Sequence, residues 1–547
     1  MASDPCDVLV VGAGPIGLAL SCHLRHLGLA VRVVEQRAGP SEHSKAIGLQ
    51  YRVSEVLARL GIVDRFIALG GSPTTVNLYA GREPLVQLRF VAPRNASGRD
   101  AFEPRAILIP QNQTEALLID YLEELGGSIE WRTTFVGYDG RPDGVVSRVT
   151  RHDSSCEEIQ STWLVSCEGA HSMVRKQAGI AFRGKTYPLA FFMADVRLKG
   201  SLPHEENHVW LHAAGSLAAL PLPGQDTWRL FVEVTPESQQ HAVTLDDIRR
   251  FLAERAPGID ATIAGDPLWL SDFRINCRIV DRMRDGRVFL AGDAAHIHSP
   301  TGGQGITTGM QDAVNLAWKI ARVRGGAPDA LLDTYGEERL PHALEVLRET
   351  DRTTSLFFAP NAILRALRDG IVLPILRMGW VQRRMFGKLS QLHVHYRRSS
   401  LSVDCRTPWR WRRIRAGDRA PDVVFEWSSG GRTTLFELMR ALRPIVLFAG
   451  RGSESLGAPL RTLDMDAYAV RDAVPHGTPP VTALIDVNGD FGSLYALGPN
   501  FICLIRPDGH VGLILSPWTA PGLEAYLSRI CDPVKVRTAF DCIGDHA

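Results

Sequence analysis

The fold of this chain is decided by residues 7–35, which read DVLVVGAGPIGLALSCHLRHLGLAVRVVE. Residues 7–11 form a nearly continuous apolar run, as expected for a parallel strand that is buried on both faces. Residues 18–27 have helical periodicity and stop at Gly28, and a second apolar run, 30–34, leads to Glu35. The order of strand, glycine-rich turn, helix, strand and acid predicts a βαβ unit that binds a dinucleotide.

Each glycine of the turn has a physical reason. Gly12 allows the tight turn, Gly14 lets the backbone approach a pyrophosphate, and Gly17 lets the helix pack closely on the strand. The free N–H groups at the start of the helix then face the phosphates. Glu35 is placed to accept a hydrogen bond from an adenosine ribose.

A second segment, residues 287–296, reads RVFLAGDAAH and has the form of a strand followed by a Gly-Asp turn. A nicotinamide dehydrogenase needs only the first unit, whereas an enzyme that holds FAD along its whole length commonly uses both. The pair of segments therefore indicates a flavoenzyme.

Length and composition limit the remaining classes. A chain of 547 residues and 60.2 kDa is expected to form about three domains. Lys plus Arg number 61 against 60 Asp plus Glu, so no basic surface for nucleic acid is indicated. The nine cysteines form no CxxC pair, and no signal peptide is recognisable, so we expect reduced thiols and a cytoplasmic location. The most apolar helical stretch, 362–381, contains charged residues, which argues against a membrane span.

The hydrophobic pattern changes several times along the chain. Residues 1–182 have α/β character and predict the first part of an FAD-binding domain, and residues 183–275 predict a β-rich substrate-binding domain. The α/β pattern resumes over 276–400 with long helices, which predicts the second part of the FAD-binding domain. Residues 417–547 predict a separate small α/β domain.

These motifs together resemble the single-component FAD-dependent aromatic hydroxylases, the group that includes para-hydroxybenzoate hydroxylase and phenol hydroxylase. The resemblance covers about the first 400 residues. The tail, from GDRAP at 417–421 to LIRPDG at 504–509, resembles the thioredoxin-like C-terminal domain of the longer members. Without a CxxC pair this domain is expected to be structural or to form an oligomer contact, such as a homodimer. The matching segments are the first glycine turn with Glu35, EGAHSMVR (168–175), GDAAH (292–296), PTGGQG (300–305), QDAVNLAWK (311–319) and LDTYGEER (332–339).

The resemblance implies a fold and a cofactor site. The fold is a Rossmann-like FAD-binding domain of the glutathione-reductase type, interrupted by the β-rich domain and followed by the thioredoxin-like one. Asp293 is implied to contact the ribityl hydroxyls or the pyrophosphate region, and Gln111 the cofactor, with Gln113 as an alternative register. The implied FAD-binding residues are Gly12, Gly14, Pro15, Ile16, Gly17, Glu35, Gln36, Lys45, Ala46, Gln111, Gly292, Asp293, Pro300, Gly302, Gly303, Gln304, Gly305, Ile306 and Thr307.

The chemistry that the resemblance implies is aromatic hydroxylation. NADPH or NADH reduces FAD, dioxygen forms a flavin C4a-hydroperoxide, and one oxygen atom is transferred to a phenolic or polycyclic, polyketide-like ring. The main chain at Pro300 and Gly303 is expected to be catalytic, with the Pro300 carbonyl approaching the substrate. His171 and Arg175 are candidate contacts to the nicotinamide cofactor, with ordinary loop charges as the alternative. The expected pocket walls are Trp210, His212, Leu220 and Phe231.

The chain also departs from the pattern of this group. Glu168 stands where the group usually has aspartate, Lys45 stands where arginine is usual, and Thr307 replaces a common asparagine. The acid that precedes the Gly-Leu-Gln segment in phenol hydroxylase-like members is Ile47 here, which leaves no obvious general base. Asp293, His296 and His298 also suggest a metal site, but the adjacent glycine motifs explain them better, and we expect no metal.

Three other functions remain open. The same flavin chemistry also serves epoxidation, Baeyer–Villiger oxidation or oxidative ring rearrangement. A flavin reductase or dehydrogenase has a related fold but transfers no oxygen. A nucleotide-holding scaffold has the fold without activity, but the full set of phosphate-binding glycines argues against it.

Overall fold

A computed structural model of the chain describes residues 5–42, 44, 46–72, 75–89, 101–234, 242–300, 302–358, 361–406, 414–472, 483–487 and 489–541. In this part of the chain, three eight-stranded sheets carry most of the strands. The strands are β1 (Cys6–Val11), β2 (Val31–Val34), β3 (Gly48–Leu49), β4 (Thr75–Tyr79), β5 (Pro84–Arg89), β6 (Ile107–Leu108), β7 (Ile129–Glu130), β8 (Thr134–Gly140), β9 (Val145–Thr150), β10 (Cys156–Ser166), β11 (Phe182–Gly200), β12 (Glu206–Trp210), β13 (Leu217–Pro221), β14 (Thr227–Val234), β15 (Ala261–Val280), β16 (Arg284–Asp285), β17 (Val288–Leu290), β18 (His296–Ile297), β19 (Val403–Asp404), β20 (Val424–Trp427), β21 (Arg432–Thr434), β22 (Ile445–Ala449), β23 (Asp466–Arg471), β24 (Ala483–Ile485), β25 (Phe501–Ile505) and β26 (Val511–Leu515).

The helices connect these sheets and cover their faces. Among the described residues, no helix has both the length and the apolar character needed to cross a bilayer. The helices are α1 (Pro15–His26), α2 (Tyr51–Arg59), α3 (Val63–Leu69), α4 (Gln111–Glu124), α5 (Met173–Gln177), α6 (Leu245–Arg255), α7 (Gly305–Arg324), α8 (Asp333–Phe357), α9 (Ala362–Leu367), α10 (Leu373–Leu376), α11 (Gly379–Leu389), α12 (Leu435–Leu438), α13 (Gly457–Thr462), α14 (Asp490–Tyr495), α15 (Ala520–Ile530) and α16 (Pro533–Asp541).

The first sheet contains the βαβ unit expected from residues 7–35. Its order is β16-β17-β10-β1-β2-β7, with β9 on β10 and β8 on β9. β1 lies parallel to both β10 and β2, and β10 lies parallel to β17. The central strands are buried on both faces, as their continuous apolar sequence predicts. The mixed α/β fold expected for FAD binding is therefore present.

The second sheet has the order β18-β15-β11-β14-β13-β12-β4-β5. It extends beyond the range expected for the β-rich domain, because β4 and β5 come from residues 75–89 and β18 follows the second Gly-Asp turn. One face packs against α6, and the other packs against the region of α8 to α11. The sheet therefore begins beside the Gly-Asp turn and continues under the long helices.

The third sheet belongs to the C-terminal region and has the order β19-β26-β25-β22-β23-β24-β20-β21. β22 and β23 are parallel, whereas β25 and β26 form an antiparallel hairpin beside β22. Fully buried ion pairs connect this region to helices α7 and α8. Glu338 of α8 accepts hydrogen bonds from Arg506 at 2.6 and 2.8 Å and from Lys319 of α7 at 2.8 Å.

Candidate functional site

Four segments of the chain end at one edge of the first sheet. Val11 is in register with Ser166 and with Val34, and Ser166 is in register with Leu290. The four strands are parallel, so the segments that follow them emerge on the same side. Both glycine turns, Glu35 and the 168–175 segment therefore meet at the carboxyl edge, where open α/β sheets bind their ligands.

The three glycines of the first turn have different surroundings. Gly12 has a φ of +104°, and a Cβ there would lie 2.5 Å from the carbonyl oxygen of Cys167. A Cβ on Gly17 would lie 1.9 Å from the carbonyl oxygen of Gly12. A Cβ on Gly14 has no protein atom within 4 Å. Packing therefore explains Gly12 and Gly17, while Gly14 borders open space in which a pyrophosphate could lie against the backbone.

Glu35 ties the first turn to the end of β2. Its carboxylate accepts hydrogen bonds from the Ala13 N–H at 2.8 Å and the Arg37 N–H at 3.0 Å, and it pairs with the Arg37 guanidinium at 3.2 Å. Arg37 also donates from Nη2 to the second carboxylate oxygen at 3.4 Å, so Ala13 and Arg37 together approach all of the roughly four acceptor positions of the carboxylate. The neighbouring Gln36 side chain is exposed.

The second turn packs directly on the first. Gly292 has a φ of +60°, and a Cβ there would lie 2.9 Å from Ile16. A Cβ on Gly309 of α7 would lie 2.6 Å from the same side chain. Ile16 therefore packs between the second turn and α7, with its residue at the start of α1. The adjacent Asp293 side chain is exposed at the strand edge.

A buried carboxylate, Asp312 of α7, holds the second turn in place. It accepts hydrogen bonds from the Gly292 N–H at 3.1 Å, from His296 Nε2 at 2.7 Å and from Arg339 Nε at 2.7 Å. Burial alone raises the pKa of Asp312, but the neighbouring His296 and Arg339 overcome this effect and lower the pKa to about 2. His296 is thus bonded to a carboxylate, not arranged with Asp293 as a ligand set.

The loop before α7 is clamped from two sides. Gln50 donates its side-chain N–H to the Gly302 carbonyl at 2.8 Å, and its backbone N–H to the Thr307 hydroxyl at 3.0 Å. On the other side, Gln391 donates to the Gln304 side chain at 3.0 Å. Thr307 therefore anchors this loop, at the position where the related hydroxylases commonly have asparagine.

The loop exposes backbone groups next to a helix N-terminus. Gly302 and Gly303 have φ values of +88° and +60°, and the Gly303 N–H donates to the Pro300 carbonyl at 2.9 Å in a tight turn. Thr308 N–H makes an intrahelical bond to the Gln304 carbonyl, so the N–H groups of Gly305 and Ile306 precede this bond. The start of the 20-residue helix α7 thus favours negative charge.

Gln111 begins α4 on the opposite side of the edge. Its N–H donates to the Ala46 carbonyl at 2.9 Å, and its side chain donates to Glu115 at 2.8 Å. Glu115 pairs with Arg37 at 3.4 Å, which connects Gln111 to the Glu35 cluster. Lys45, expected to bind the cofactor, lies outside the described residues.

The 168–175 segment contacts the second turn through a hydrogen bond from Arg175. Glu168 accepts hydrogen bonds from the Ser172 hydroxyl and the Val174 N–H, which closes the first turn of α5. Arg175 is 5 % exposed and donates to the Ala294 carbonyl at 3.0 Å and the Ala170 carbonyl at 2.8 Å. Its guanidinium also lies 4.0 Å from the Phe182 ring centroid. These contacts occupy Arg175 within the protein, whereas His171 is exposed.

The four expected pocket residues do not share one surface. Trp210 is 1 % exposed and stacks on Tyr79 in the core beneath α6, with ring centroids 4.9 Å apart. Phe231 and Leu220 are half-buried on the opposite face of the sheet. His212 lies in the turn after β12 and accepts a hydrogen bond from the Ala214 N–H. Strand alternation therefore assigns Trp210 to the core and leaves Leu220 and Phe231 on the face toward the long helices.

That face is aromatic and contains one buried ion pair. Phe273 stacks on Phe191 with centroids 5.4 Å apart and meets Phe231 edge to face at 6.3 Å. Next to Phe231 along the strand, Arg229 binds Asp195 through two hydrogen bonds of 2.6 Å. The face therefore offers apolar rings beside a neutralised charge.

Sequence reasoning did not identify the residues that position these turns: Asp312, Arg339, Gln50 and Gln391. One signal was available, because Asp312 is a carboxylate among apolar and small residues of a helix, and a buried charge requires partners. Its partner Arg339 is 27 residues away, and Gln50 and Gln391 contact the loop over much larger separations. Periodicity does not predict such contacts.

Comparison with known proteins gives one family. Residues 5–350 match the FAD binding domain family. A flavin-dependent monooxygenase of Mycobacteroides abscessus is 32% identical over 530 residues, covering 96% of this chain and 99% of the relative. The 6-methylpretetramide 4-monooxygenase of Streptomyces rimosus is 32% identical over 529 residues, with 93% and 90% covered. The structure of anhydrotetracycline hydroxylase from Streptomyces rimosus superimposes with a TM-score of 0.78 at 31% identity, covering 97% of this chain and 99% of that one.

Proposed function

This chain belongs to the FAD binding domain family and is a flavin-dependent monooxygenase, and from this premise we propose that it hydroxylates a polycyclic aromatic, polyketide-like compound with a phenolic ring. The observation that carries the proposal is the position of the second sheet. Its edge strand β18 directly follows the Gly292–Asp293 turn, and its aromatic side chains lie on β15, β11 and β14, the next three strands of the sheet. The relatives named for 6-methylpretetramide and anhydrotetracycline act on fused-ring compounds of this kind.

The residues at the strand edge fit FAD. Gly14 leaves open space against the backbone, Glu35 places a carboxylate at the end of β2 where a ribose hydroxyl could replace the long Arg37 Nη2 contact of 3.4 Å, and Asp293 presents an exposed carboxylate at the same strand edge. Such a carboxylate accepts from several hydroxyls at once, which suits a ribityl chain. When bound, reduced FAD activates dioxygen for transfer of one oxygen atom to an electron-rich ring.

The chain's own groups would orient the cofactor and the ring. The N–H groups of Gly305 and Ile306 would stabilise negative charge on the flavin's pyrimidine edge, because they precede the first intrahelical bond of α7. The Pro300 carbonyl accepts one hydrogen bond from Gly303 and retains a second lone pair that a substrate hydroxyl could use. The face of the second sheet that packs against α8 to α11 would exclude water from the reacting ring.

The substrate would lie against the partly exposed rings of the second sheet. Phe231, Phe273 and Leu220 offer a partly exposed apolar wall that suits burial of a fused-ring compound. Trp210 is assigned to the core, so its truncation would act on stability. We expect loss of Phe231 to raise the substrate KM about tenfold without unfolding the protein, since a ring contact of this kind contributes about 1–2 kcal/mol.

NADPH or NADH is proposed as the reductant. His171 is exposed next to the second turn and could contact the reductant, whereas Arg175 is proposed to position the turn through Ala294.

A thioredoxin-like architecture is proposed for the C-terminal domain at 417–547. The parallel pair β22 and β23, joined by α13, and the antiparallel hairpin β25 and β26, followed by α15, support this proposal. The other proposed units are the FAD-binding parts at 1–182 and 276–400 and the substrate domain at 183–275. β4 and β5 are inserted from the first part into the substrate sheet.

The experiment that tests the function follows oxygen into product. The purified protein is reconstituted with FAD and given NADPH or NADH under ¹⁸O₂ with a panel of phenolic anthraquinones and naphthacenes. A compound that stimulates NAD(P)H oxidation and gains one ¹⁸O atom on its ring supports hydroxylation. A ring-opened or lactone product with ¹⁸O would replace hydroxylation by Baeyer–Villiger chemistry. Substrate reduction without ¹⁸O incorporation would overturn the proposed oxygen transfer.

A further inference from the structure

The segment from α9 to α11 carries an unusual concentration of exposed apolar side chains. Fourteen large apolar side chains are exposed among the described residues, and seven of them lie between 363 and 380. Isolated exposed apolar side chains are ordinary on a protein surface, but a contiguous group marks a site of association. We name six of them the 363–380 stripe: Ile363, Leu367, Ile371, Ile375, Met378 and Trp380.

The stripe follows one side of a nearly continuous helical run. Ile363, Leu367, Ile371 and Ile375 repeat at every fourth residue, through α9, a π-helical turn at Arg368–Val372 and α10. Ile363 is 80% exposed and Trp380 is 60% exposed. The opposite side is already in use, because Leu373 and Leu376 are buried against β4 and β5. The helix is therefore fixed to the sheet by one face and presents a second apolar face outward.

Cations surround the stripe. Residues 361–390 contain five arginines and one lysine against a single acid, Asp369, and the lysine, Lys388, pairs with Glu349 of α8. The acid is taken up by Arg368, which binds it at 2.7 Å and is itself buried. Arg383 and Arg384 are exposed beside Trp380, and Arg365 lies within α9 beside the apolar positions. This combination of an apolar face, a tryptophan and flanking arginines is the pattern of a helix that lies in the interface of an anionic bilayer.

We propose that the 363–380 stripe docks this protein on an anionic membrane surface as a peripheral contact. A second copy is a poorer occupant, because a twofold contact would bring each cationic surface against itself. A partner protein with a preformed groove is also a poorer occupant. The two most exposed side chains, Ile363 and Trp380, lie at the two ends of the helical run, which suits insertion into a fluid lipid layer.

The test uses the FAD-reconstituted protein and vesicle co-sedimentation. Vesicles of phosphatidylcholine mixed with phosphatidylglycerol are compared with vesicles of phosphatidylcholine alone, at low and high salt. We expect binding to the anionic vesicles that weakens with salt. The variant Arg365→Gln/Arg383→Gln/Arg384→Gln should reduce the partition coefficient on the order of a hundredfold, at about fivefold for each arginine.

A second variant separates insertion from charge attraction. Ile363→Ser/Ile371→Ser/Trp380→Ser should lower binding at least about tenfold. Its matched control, Val136→Ser/Leu268→Ser/Val534→Ser, replaces side chains that are 54%, 48% and 73% exposed elsewhere and should bind like the parent. The proposal is overturned if the parent protein does not bind anionic vesicles, or if the stripe variant binds as well as its control. It is also overturned if sedimentation velocity shows a dimer that the stripe variant abolishes, because the occupant would then be a second copy.

Discussion

Replacing Asp312 with asparagine should release the Gly292–Asp293 turn, which we propose to face the flavin. The carboxylate accepts from the Gly292 N–H at 3.1 Å, from His296 at 2.7 Å and from Arg339 at 2.7 Å, all away from solvent. Asparagine has the same size but only one acceptor oxygen. Its NH₂ group must therefore face a donor, and the buried Arg339 guanidinium loses its counter-ion.

The size of the effect is bracketed by the pKa shift of Asp312 and by the general cost of breaking a buried ion pair. The pKa of Asp312 falls from 3.8 to about 2 on folding, which corresponds to about 2 kcal/mol of stability. Removing one partner of a buried ion pair generally costs about 3–5 kcal/mol. We expect Asp312→Asn to reduce the free energy of unfolding by about 3 kcal/mol. Because the folded-state pKa is depressed, the contribution is complete above pH 4 and disappears as the pH falls toward 2, so the difference between parent and variant should shrink over that interval.

The measurement is urea unfolding of the FAD-free protein, followed by titration with FAD using flavin fluorescence. Since Gly292 loses an anchor, we expect the FAD dissociation constant to rise at least about tenfold. The matched control is Asp333→Asn, whose carboxylate is 71% exposed and pairs with Arg284 at 2.6 Å; exposed pairs contribute less than about 1 kcal/mol. An Asp312→Asn protein that unfolds within about 1 kcal/mol of the parent and binds FAD equally well would refute the reasoning.

Three further predictions concern other parts of the site. Gly14→Ala should leave the free energy of unfolding within about 1 kcal/mol of the parent but weaken FAD binding at least about tenfold; equal FAD affinity would contradict a pyrophosphate site in the open space at Gly14. Gly17→Ala should prevent folding, because its Cβ would lie 1.9 Å from the Gly12 carbonyl oxygen. His171→Ala should raise the KM for NADPH without changing FAD retention, and an unchanged KM in steady-state assays would remove His171 from the nicotinamide site. Arg175→Met should destabilise the fold by about 2–4 kcal/mol and release FAD, because two carbonyls lose a charged donor. Arg506→Met should reduce the free energy of unfolding, measured in urea, by about 3–5 kcal/mol, because Glu338 and Asp508 would keep buried charges without their partner. The control Arg471→Met breaks a more exposed pair with Glu454 and should cost less than about 1 kcal/mol. Similar losses in the two variants would contradict the buried network.

The sequence predicts the features whose causes are local. The strand over 7–11 is observed as Cys6–Val11, and the strand over 30–34 is observed as Val31–Val34. The predicted helix begins three residues earlier than its periodicity shows, at Pro15, because a proline fits the first turn of a helix. Short-range periodicity and glycine geometry are sufficient for this unit.

Features that depend on distant partners were not predictable in this way. Alternation along β12 separates two sets of side chains, but it does not say which set faces α6, so Trp210 was expected in the pocket. Arg175 has the sequence context of an exposed loop charge, yet its acceptor is Ala294, 119 residues away. β4 and β5 have no local signal for joining a sheet whose other strands begin about a hundred residues later.

The third sheet is connected to the carboxyl edge of the first sheet through two adjacent residues of α8. Glu338 binds Arg506, and Arg339 binds both Asp312 and the hydroxyl of Tyr396 at 2.8 Å. Tyr396 in turn packs on His510, with ring centroids 4.2 Å apart. Because 338 and 339 are consecutive in one helix, a loss of contact at Arg506 also disturbs the register that brings Arg339 to Asp312. We therefore expect Arg506→Met to raise the FAD dissociation constant as well as to destabilise the protein. Unchanged FAD affinity in a destabilised Arg506→Met protein would show that the two ends of this network act independently.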